Sequence, residues 1–213
     1  RFKIISYLRK AKLFSLIEEN INGSRIYNHF GLIRNIKFID GFFQSENYLN
    51  KFFLKTLIDS RKFKLEDDKA KKKIKYNKKI NVFIHIRLTD FAIWPNKKNS
   101  AIMSFNWYKN LYLKYFNKKK CFIFSDNYKK LRKNNFFNLK NFKLVNQNYI
   151  NSFFLMKNCK YGIISCSSFS WWAAYLSNKK YKNTKFFAPN YWAGYKAKKF
   201  YPNRIKSSFL IYK

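Results

Sequence analysis

Residues 81–86 read NVFIHI, a short β-branched and aromatic run that predicts a strand. Four similar runs follow: CFIFS at 121–125, FKLV at 142–145, YGIIS at 161–165 and KFFA at 185–188. Helix candidates separate them at 107–116, 127–133, 150–159 and 168–177, the last two with apolar residues at i, i+3 and i+4. Strand and helix alternate throughout. That order predicts βαβ units and hence an α/β, Rossmann-like parallel sheet with helices on both faces.

In such sheets a ligand sits in the crevice beyond the carboxyl ends of the strands. The first polar residues after each strand are therefore the informative ones. They are His85 and Arg87, then Ser125 and Asp126, then Asn146, and finally Ser165, Ser167 and Ser168. Upstream of 81, the charged stretch 62–79 reads as a solvated hinge, and residues 1–60 read as helical, with Phe14 and Ile17 and later Tyr48, Phe52, Phe53 and Leu57 at helix-like spacing. A boundary near residue 78 follows, dividing 1–78 from a ligand-binding domain at 79–213. No internal repeat is visible.

The chain has 213 residues and is 47% hydrophobic, enough for a large core. It starts with Arg1, and no leader pattern precedes residue 30, so a fragment lacking its natural N-terminus is expected. The uncharged stretch 161–178 is broken by Gly162 and by serines, and no run of roughly 20 apolar residues is present. Cys121, Cys159 and Cys166 are odd in number and lack paired short spacing, which predicts reduced thiols and neither a disulfide framework nor a zinc site.

The net charge of +36 points, taken alone, to nucleic acid or an anionic membrane surface. Lysine far outnumbers arginine, however, and asparagine, phenylalanine and tyrosine abound, a pattern that an A+T-rich coding sequence produces by itself. Readers of bases and phosphates rely on the bidentate fork of arginine. Compositional drift is the preferred cause, with a basic nucleic-acid-binding protein as the alternative.

Arg87 is the one arginine between Arg61 and Arg132, at a strand end where bidentate phosphate binding is expected, although a plain surface cation fits the same spacing. In SCSSFSWWAAYL, 165–176, hydroxyls stand where an apolar helix begins. Ser167 or Ser168 is placed to cap that helix, whose N-terminus would favour a phosphate; a capped core helix without a ligand fits equally. His85 is either a ligand contact or a core histidine. From residue 81 onward the only carboxylates are Asp90 and Asp126, so a general base from this half must be one of them, while Asp126 also stands where an N-cap is expected. The scarcity of carboxylates predicts that no metal is held. No GxGxxG or GxxxxGK[ST] loop occurs, which counts against dehydrogenases, kinases and ATPases.

The blocks HIRLTDF (85–91), FIFSDN (122–127), FFLMKNCKYGIISCSSFSWWAAYL (153–176), FAPNYW (187–192) and YP (201–202), with GFFQSENYL (41–49) upstream, follow the order of the bacterial α-1,2-fucosyltransferases. The chain resembles that family over residues 41–205. The resemblance implies a two-domain GT-B fold, with 1–78 a remnant of the acceptor-side domain plus linker and 79–213 the donor domain. It implies GDP-fucose as donor, inversion at the anomeric carbon, no cofactor or metal, and transfer to the 2-hydroxyl of a galactose-terminated acceptor in surface-glycan synthesis. Arg87 would hold the diphosphate, His85 would approach the guanine or ribose, and Ser125, Asp126, Ser165, Ser167, Ser168, Phe169 and Ser170 would line the donor site. Asp90 is the candidate catalytic base or, failing that, a brace for Arg87. The expected location is cytoplasmic, with peripheral contact to the inner membrane face as a further hypothesis.

The chain also departs from the family pattern. A GGLGNQ-like segment is missing. The usual HxRRGD reads HIRLTD, with Leu88 and Thr89 for arginine and glycine. Ser152 replaces an aspartate suited to reading guanine, Cys166 an asparagine and Tyr161 a histidine. A degenerate transferase that keeps the fold without activity is the third reading.

Overall fold

The computed structural model describes residues 14–19, 26–29, 33–40, 46, 49–73, 82–94, 96–134, 139–192 and 207–213. In chain order the elements are β1 (Phe14–Glu19), β2 (Ile26–His29), β3 (Ile33–Asp40), α1 (Lys51–Asp59), α2 (Arg61–Lys73), β4 (Val82–Ile86), a 3-10 turn (Asp90–Ala92), α3 (Phe105–Phe116), β5 (Cys121–Ser125), α4 (Tyr128–Arg132), β6 (Phe142–Leu144), α5 (Tyr149–Lys157), β7 (Tyr161–Ile163), α6 (Ser168–Lys180), β8 (Lys185–Ala188) and β9 (Leu210–Tyr212).

All five residues of β4 are buried, and the strand pairs in parallel with β5 on one side and β7 on the other. The sheet runs β6-β5-β4-β7-β8-β9, every pair parallel. This is the doubly wound Rossmann order, in which the winding direction reverses between the first strand and the fourth, here β4 and β7.

Strand alternation divides β4 between two faces. Val82, Ile84 and Ile86 join Tyr108, Leu111, Tyr112 and Phe116 of α3, with Ile123, Ile163 and Phe187, in one apolar cluster. Ser104 starts α3 by accepting a hydrogen bond from the Trp107 amide at 3.2 Å. On the other face Phe83 meets Phe186, and His85 meets Phe169 of α6. The α/β, Rossmann-like architecture expected from the strand–helix alternation is present, with helices on both faces. The edge strand β9, three residues long, lies outside the runs that periodicity singled out.

Two expectations are corrected. The segment read as helical contains β1, β2 and β3, which form a separate sheet ordered β2-β1-β3; α1 is the one α-helix among its described residues. The charged stretch 62–79 is not a hinge as far as it is described: its residues up to Lys73 belong to α2. The chain divides instead into residues 1–49 with 201–207 and residues 50–200 with 208–213, so the division falls at 49/50 and not near 78. The reason is Asp67. Its buried carboxylate pairs with Lys157 of α5 at 2.9 Å and accepts a hydrogen bond from Asn158 at 2.7 Å, while Lys180 of α6 donates to Asn158 at 2.6 Å. These bonds fasten α2 onto the helices beside the sheet. Residues 74–81 lie outside the described residues.

Losing one partner of a buried ion pair leaves the other charge uncompensated, which costs about 3–5 kcal/mol. Asp67→Ala is expected to lower the stability of this unit by that amount in urea denaturation, and Lys157→Met made in the same background to recover part of it. A second test concerns Gly162, which faces Phe83 across the β4–β7 ladder. A Cβ there would stand 2.6 Å from the fully buried Phe83 ring. Gly162→Ala is expected to destabilise by about 1–3 kcal/mol, with the midpoint shifted and the denaturant slope unchanged.

Candidate functional site

At the carboxyl ends of β4 and β7, where the winding reverses, the chain places one buried histidine, the penultimate residue of β4, and one helix N-terminus. His85 is 3% exposed and shares a 3.0 Å hydrogen bond between Nδ1 and the Ser165 hydroxyl, two residues past β7. Its other ring nitrogen makes no hydrogen bond to the described residues. Burial first, and then the positive charge of Arg87, push the imidazole down to about 4, with Asp126 opposing weakly. His85 is therefore neutral at physiological pH, a donor or acceptor without charge.

Just past Ser165 begins α6. Ser167 occupies the N-cap position with extended backbone, but its side chain makes no capping bond. The expected serine cap is absent, and the hydroxyl of Ser170, wholly buried, donates back to the Ser167 carbonyl at 3.2 Å. Ser168 is exposed and Phe169 half-buried, its ring against those of His85 and Phe153. The N-cap residue of this 13-residue helix thus offers no side-chain acceptor at the positive end of its dipole, an arrangement suited to an anion.

On the β5 side, the residues after β4 turn sharply. Arg87 donates from Nε to Asp90 Oδ1 at 3.0 Å and from Nη2 to Asp90 Oδ2 at 2.8 Å, and its Nε lies 3.3 Å from Asp126 Oδ2. The Phe91 ring lies 5.7 Å from the guanidinium carbon. Both Nη1 hydrogens are left without a partner among the described residues, so one edge of the fork is available. The Asp90 carboxyl is held below the usual carboxylate range, chiefly by its hydrogen bonds from Arg87.

Asp126 accepts from the Leu88 amide at 2.8 Å, from the Thr89 amide at 3.1 Å, from the Thr89 hydroxyl, and from Ser125 Oγ at 3.3 Å. Burial opposes its ionisation, but the hydrogen bonds from Thr89 and Leu88 and the charge of Arg87 outweigh it and hold the carboxyl low. The N-cap of α4 is not Asp126 but Asn127, whose side chain accepts from the Lys130 amide at 3.0 Å.

The departures from the family pattern also have places in the fold. Leu88 is buried in the apolar cluster. Ser152, 9% exposed, donates to the Gln147 carbonyl at 3.4 Å. The Cys166 thiol points to the Tyr191 carbonyl and burial pushes it up to about 12, while Tyr161 stacks on Phe116. Cys121, Cys159 and Cys166 are all free and buried. Asn146 is exposed after β6. Among the described residues, no group of three or more His, Cys, Asp and Glu side chains is placed to hold a metal ion, and no helix is long and apolar enough to cross a membrane.

The sequence reading had singled out the residues of both clusters. It missed Thr89 as a structural participant, because its partner is 37 residues away. The family model for Glycosyl transferase family 11 matches residues 24–203 of the chain. No curated protein matches the chain.

The neutral state of His85 has a measurable consequence. Its folded pKa lies below the value of 6.5 of a free imidazole, so the unfolded chain binds the extra proton. The stability His85 contributes is complete above about pH 6.5 and is lost as pH falls toward 4. By pH 5 the expected loss is on the order of 2 kcal/mol. Urea denaturation at pH 7.5 and 5 should show that slope in the native sequence and a shallower one in His85→Gln; equal slopes would mean that His85 is protonated in the folded protein.

Proposed function

This chain belongs to glycosyl transferase family 11, the fucosyltransferases, and from that premise we propose that it binds GDP-fucose and transfers fucose, with inversion, to the 2-hydroxyl of a galactose-terminated acceptor in bacterial surface-glycan synthesis. The observation that carries the donor reading is the pairing, at the carboxyl ends of one sheet, of an arginine with an open guanidinium edge and a long helix whose first turn has no side-chain cap.

In the proposed reaction the acceptor oxygen forms a bond to the anomeric carbon from the face opposite the leaving group. The bond from that carbon to the β-phosphate oxygen breaks, and GDP departs with the electron pair. Negative charge grows on the diphosphate. The free Nη1 edge of Arg87 and the N-terminus of α6 are the groups suited to receive it, and this stabilisation is the main catalytic contribution in the proposal. The metal-independent reading rests on these cationic and dipolar groups. Neutral His85 suits a hydroxyl or base edge of the nucleoside, where a charge would gain nothing. Asp90 is a weak base while Arg87 holds both its oxygens, and its role here is to orient the guanidinium; the hydroxyl proton leaves to solvent as the bond to the anomeric carbon forms. Ser168 and Phe169, at the open end of α6, are the proposed lining residues, whereas Ser165 and Ser170 act from behind through His85 and the helix backbone.

The excess of basic residues suits peripheral attachment to the anionic inner face of the cytoplasmic membrane, which we include as part of the proposal. The test of the donor site is calorimetric titration with GDP, ADP and UDP at physiological salt. Saturable GDP binding is expected, with Arg87→Ala weakening it by about ten- to a hundredfold, the worth of hydrogen bonds to a charged group. Equal affinity for the three nucleotides would refute guanine recognition, and full GDP affinity in Arg87→Ala would refute the phosphate role.

A further inference from the structure

We infer that Asp126 is a positioning residue, clamping the turn after β4 so that Arg87 leaves the sheet in one direction, and that Thr89 is the other half of the clamp. This rests on the proposed phosphate role of Arg87 for its functional meaning, though not for its geometry.

The carboxylate is saturated by the protein itself. Oδ1 accepts from the Leu88 amide and the Ser125 hydroxyl, and Oδ2 from the Thr89 amide and hydroxyl with Arg87 Nε alongside. A carboxylate offers about four lone-pair positions, so little capacity is left for a ligand. Three of the five donors belong to residues 88 and 89, two of them consecutive backbone amides. Binding both amides to one anion fixes the peptide planes on either side of Leu88, and with them the direction in which Arg87 departs. The register makes this reach short: Ile86 pairs with Ser125 at the ends of β4 and β5, so Arg87 and Asp126 are the first residues past two adjacent strand ends.

Asp126 and Asp90 thus do different work. Asp126 holds the backbone of the turn, and Asp90 aligns the guanidinium plane through two parallel bonds. The buried Leu88 side chain anchors the middle of the same turn in the apolar cluster. Thr89 brings a hydroxyl as well as its amide, and that hydroxyl also lands on Asp126.

Asp126→Asn is close to isosteric, but its amide would face donors with donors. The clamp is read first without any ligand, by amide hydrogen exchange of Leu88 and Thr89. Exchange at both is expected to quicken at least tenfold in Asp126→Asn, with the amides of α3 unchanged; unchanged exchange at 88 and 89 would overturn the clamp. The functional half is read by titration. GDP affinity is expected to fall about tenfold in Asp126→Asn, guanosine affinity less than twofold, and Asp126→Asn is expected to add nothing in an Arg87→Ala background. An equal loss with and without Arg87 would mean that Asp126 touches the ligand directly, overturning the positioning role. Should Asp126→Asn fail to fold, Thr89→Val carries the same measurements, with Thr89→Ser as the rescue. If the unaltered protein binds no nucleoside diphosphate, the donor reading falls, while the exchange experiment still decides the clamp.

Discussion

The pairing of β4 between β5 and β7 is the constraint on which this unit depends. A strand buried on both faces and hydrogen-bonded on both edges has no freedom of register, because a slip of one residue would bring His85 into the apolar cluster and Ile84 against Ser165. Its carboxyl end is therefore a fixed point. His85 belongs to the strand and inherits that rigidity, which keeps a lone imidazole neutral and hydrogen-bonded to Ser165 where the sheet reverses its winding. Arg87 lies one residue beyond the strand and does not inherit it. The turn needs its own support, and the carboxylates of Asp90 and Asp126 supply it.

How much of this was legible in the sequence follows from where each interaction is encoded. Parallel strands declare themselves as short β-branched and aromatic runs, and NVFIHI, CFIFS and KFFA were readable because their burial is a property of the run alone. The alternation with helices then fixed the architecture. β9 was not readable: three residues pair with a strand more than twenty positions earlier, and nothing local marks them. The N-terminal strands failed differently. Aromatic residues spaced three apart suit a helix face and also occur by chance in a chain so rich in phenylalanine and tyrosine, so the spacing carried less information than its form suggested.

The charged stretch preceding β4 is the more instructive error. A run such as RKFKLEDDKAKKK reads as solvated because a sequence shows charges without their partners. One of those charges, Asp67, is satisfied by Lys157 and Asn158, about ninety residues away, and that long-range bond turns a supposed hinge into a packed helix. The site shows the same limit. The sequence supplied His85, Arg87, Asp90, Asp126 and the serines as a set, since all fall just past strand ends. It did not supply their division into residues that face outward and residues that hold others, because Ser165 and Ser170 look the same as Ser168 until the hydroxyls are seen to turn toward His85 and the Ser167 carbonyl.

Net charge and local charge also separate here. The chain carries 46 basic residues, most of them lysine, against 10 acidic ones. A lysine field raises the local concentration of an anionic ligand, yet it gives no orientation, since each ammonium is a mobile point charge. Orientation needs a rigid fork, and a fork is rigid only when part of it is already bound. Both carboxylates that follow residue 81 contact the same arginine. They reduce its net charge, which weakens attraction at long range, but attraction is the one quantity this chain has in excess. What the two aspartates provide in exchange is direction: Nε and Nη2 are occupied within the protein, and among the described residues the Nη1 edge is left open at a fixed angle. In a protein with few cations the same arrangement would cost long-range attraction, whereas in a chain with 46 basic residues the long-range charge of a single arginine is a small part of the total and its geometry is what sets it apart.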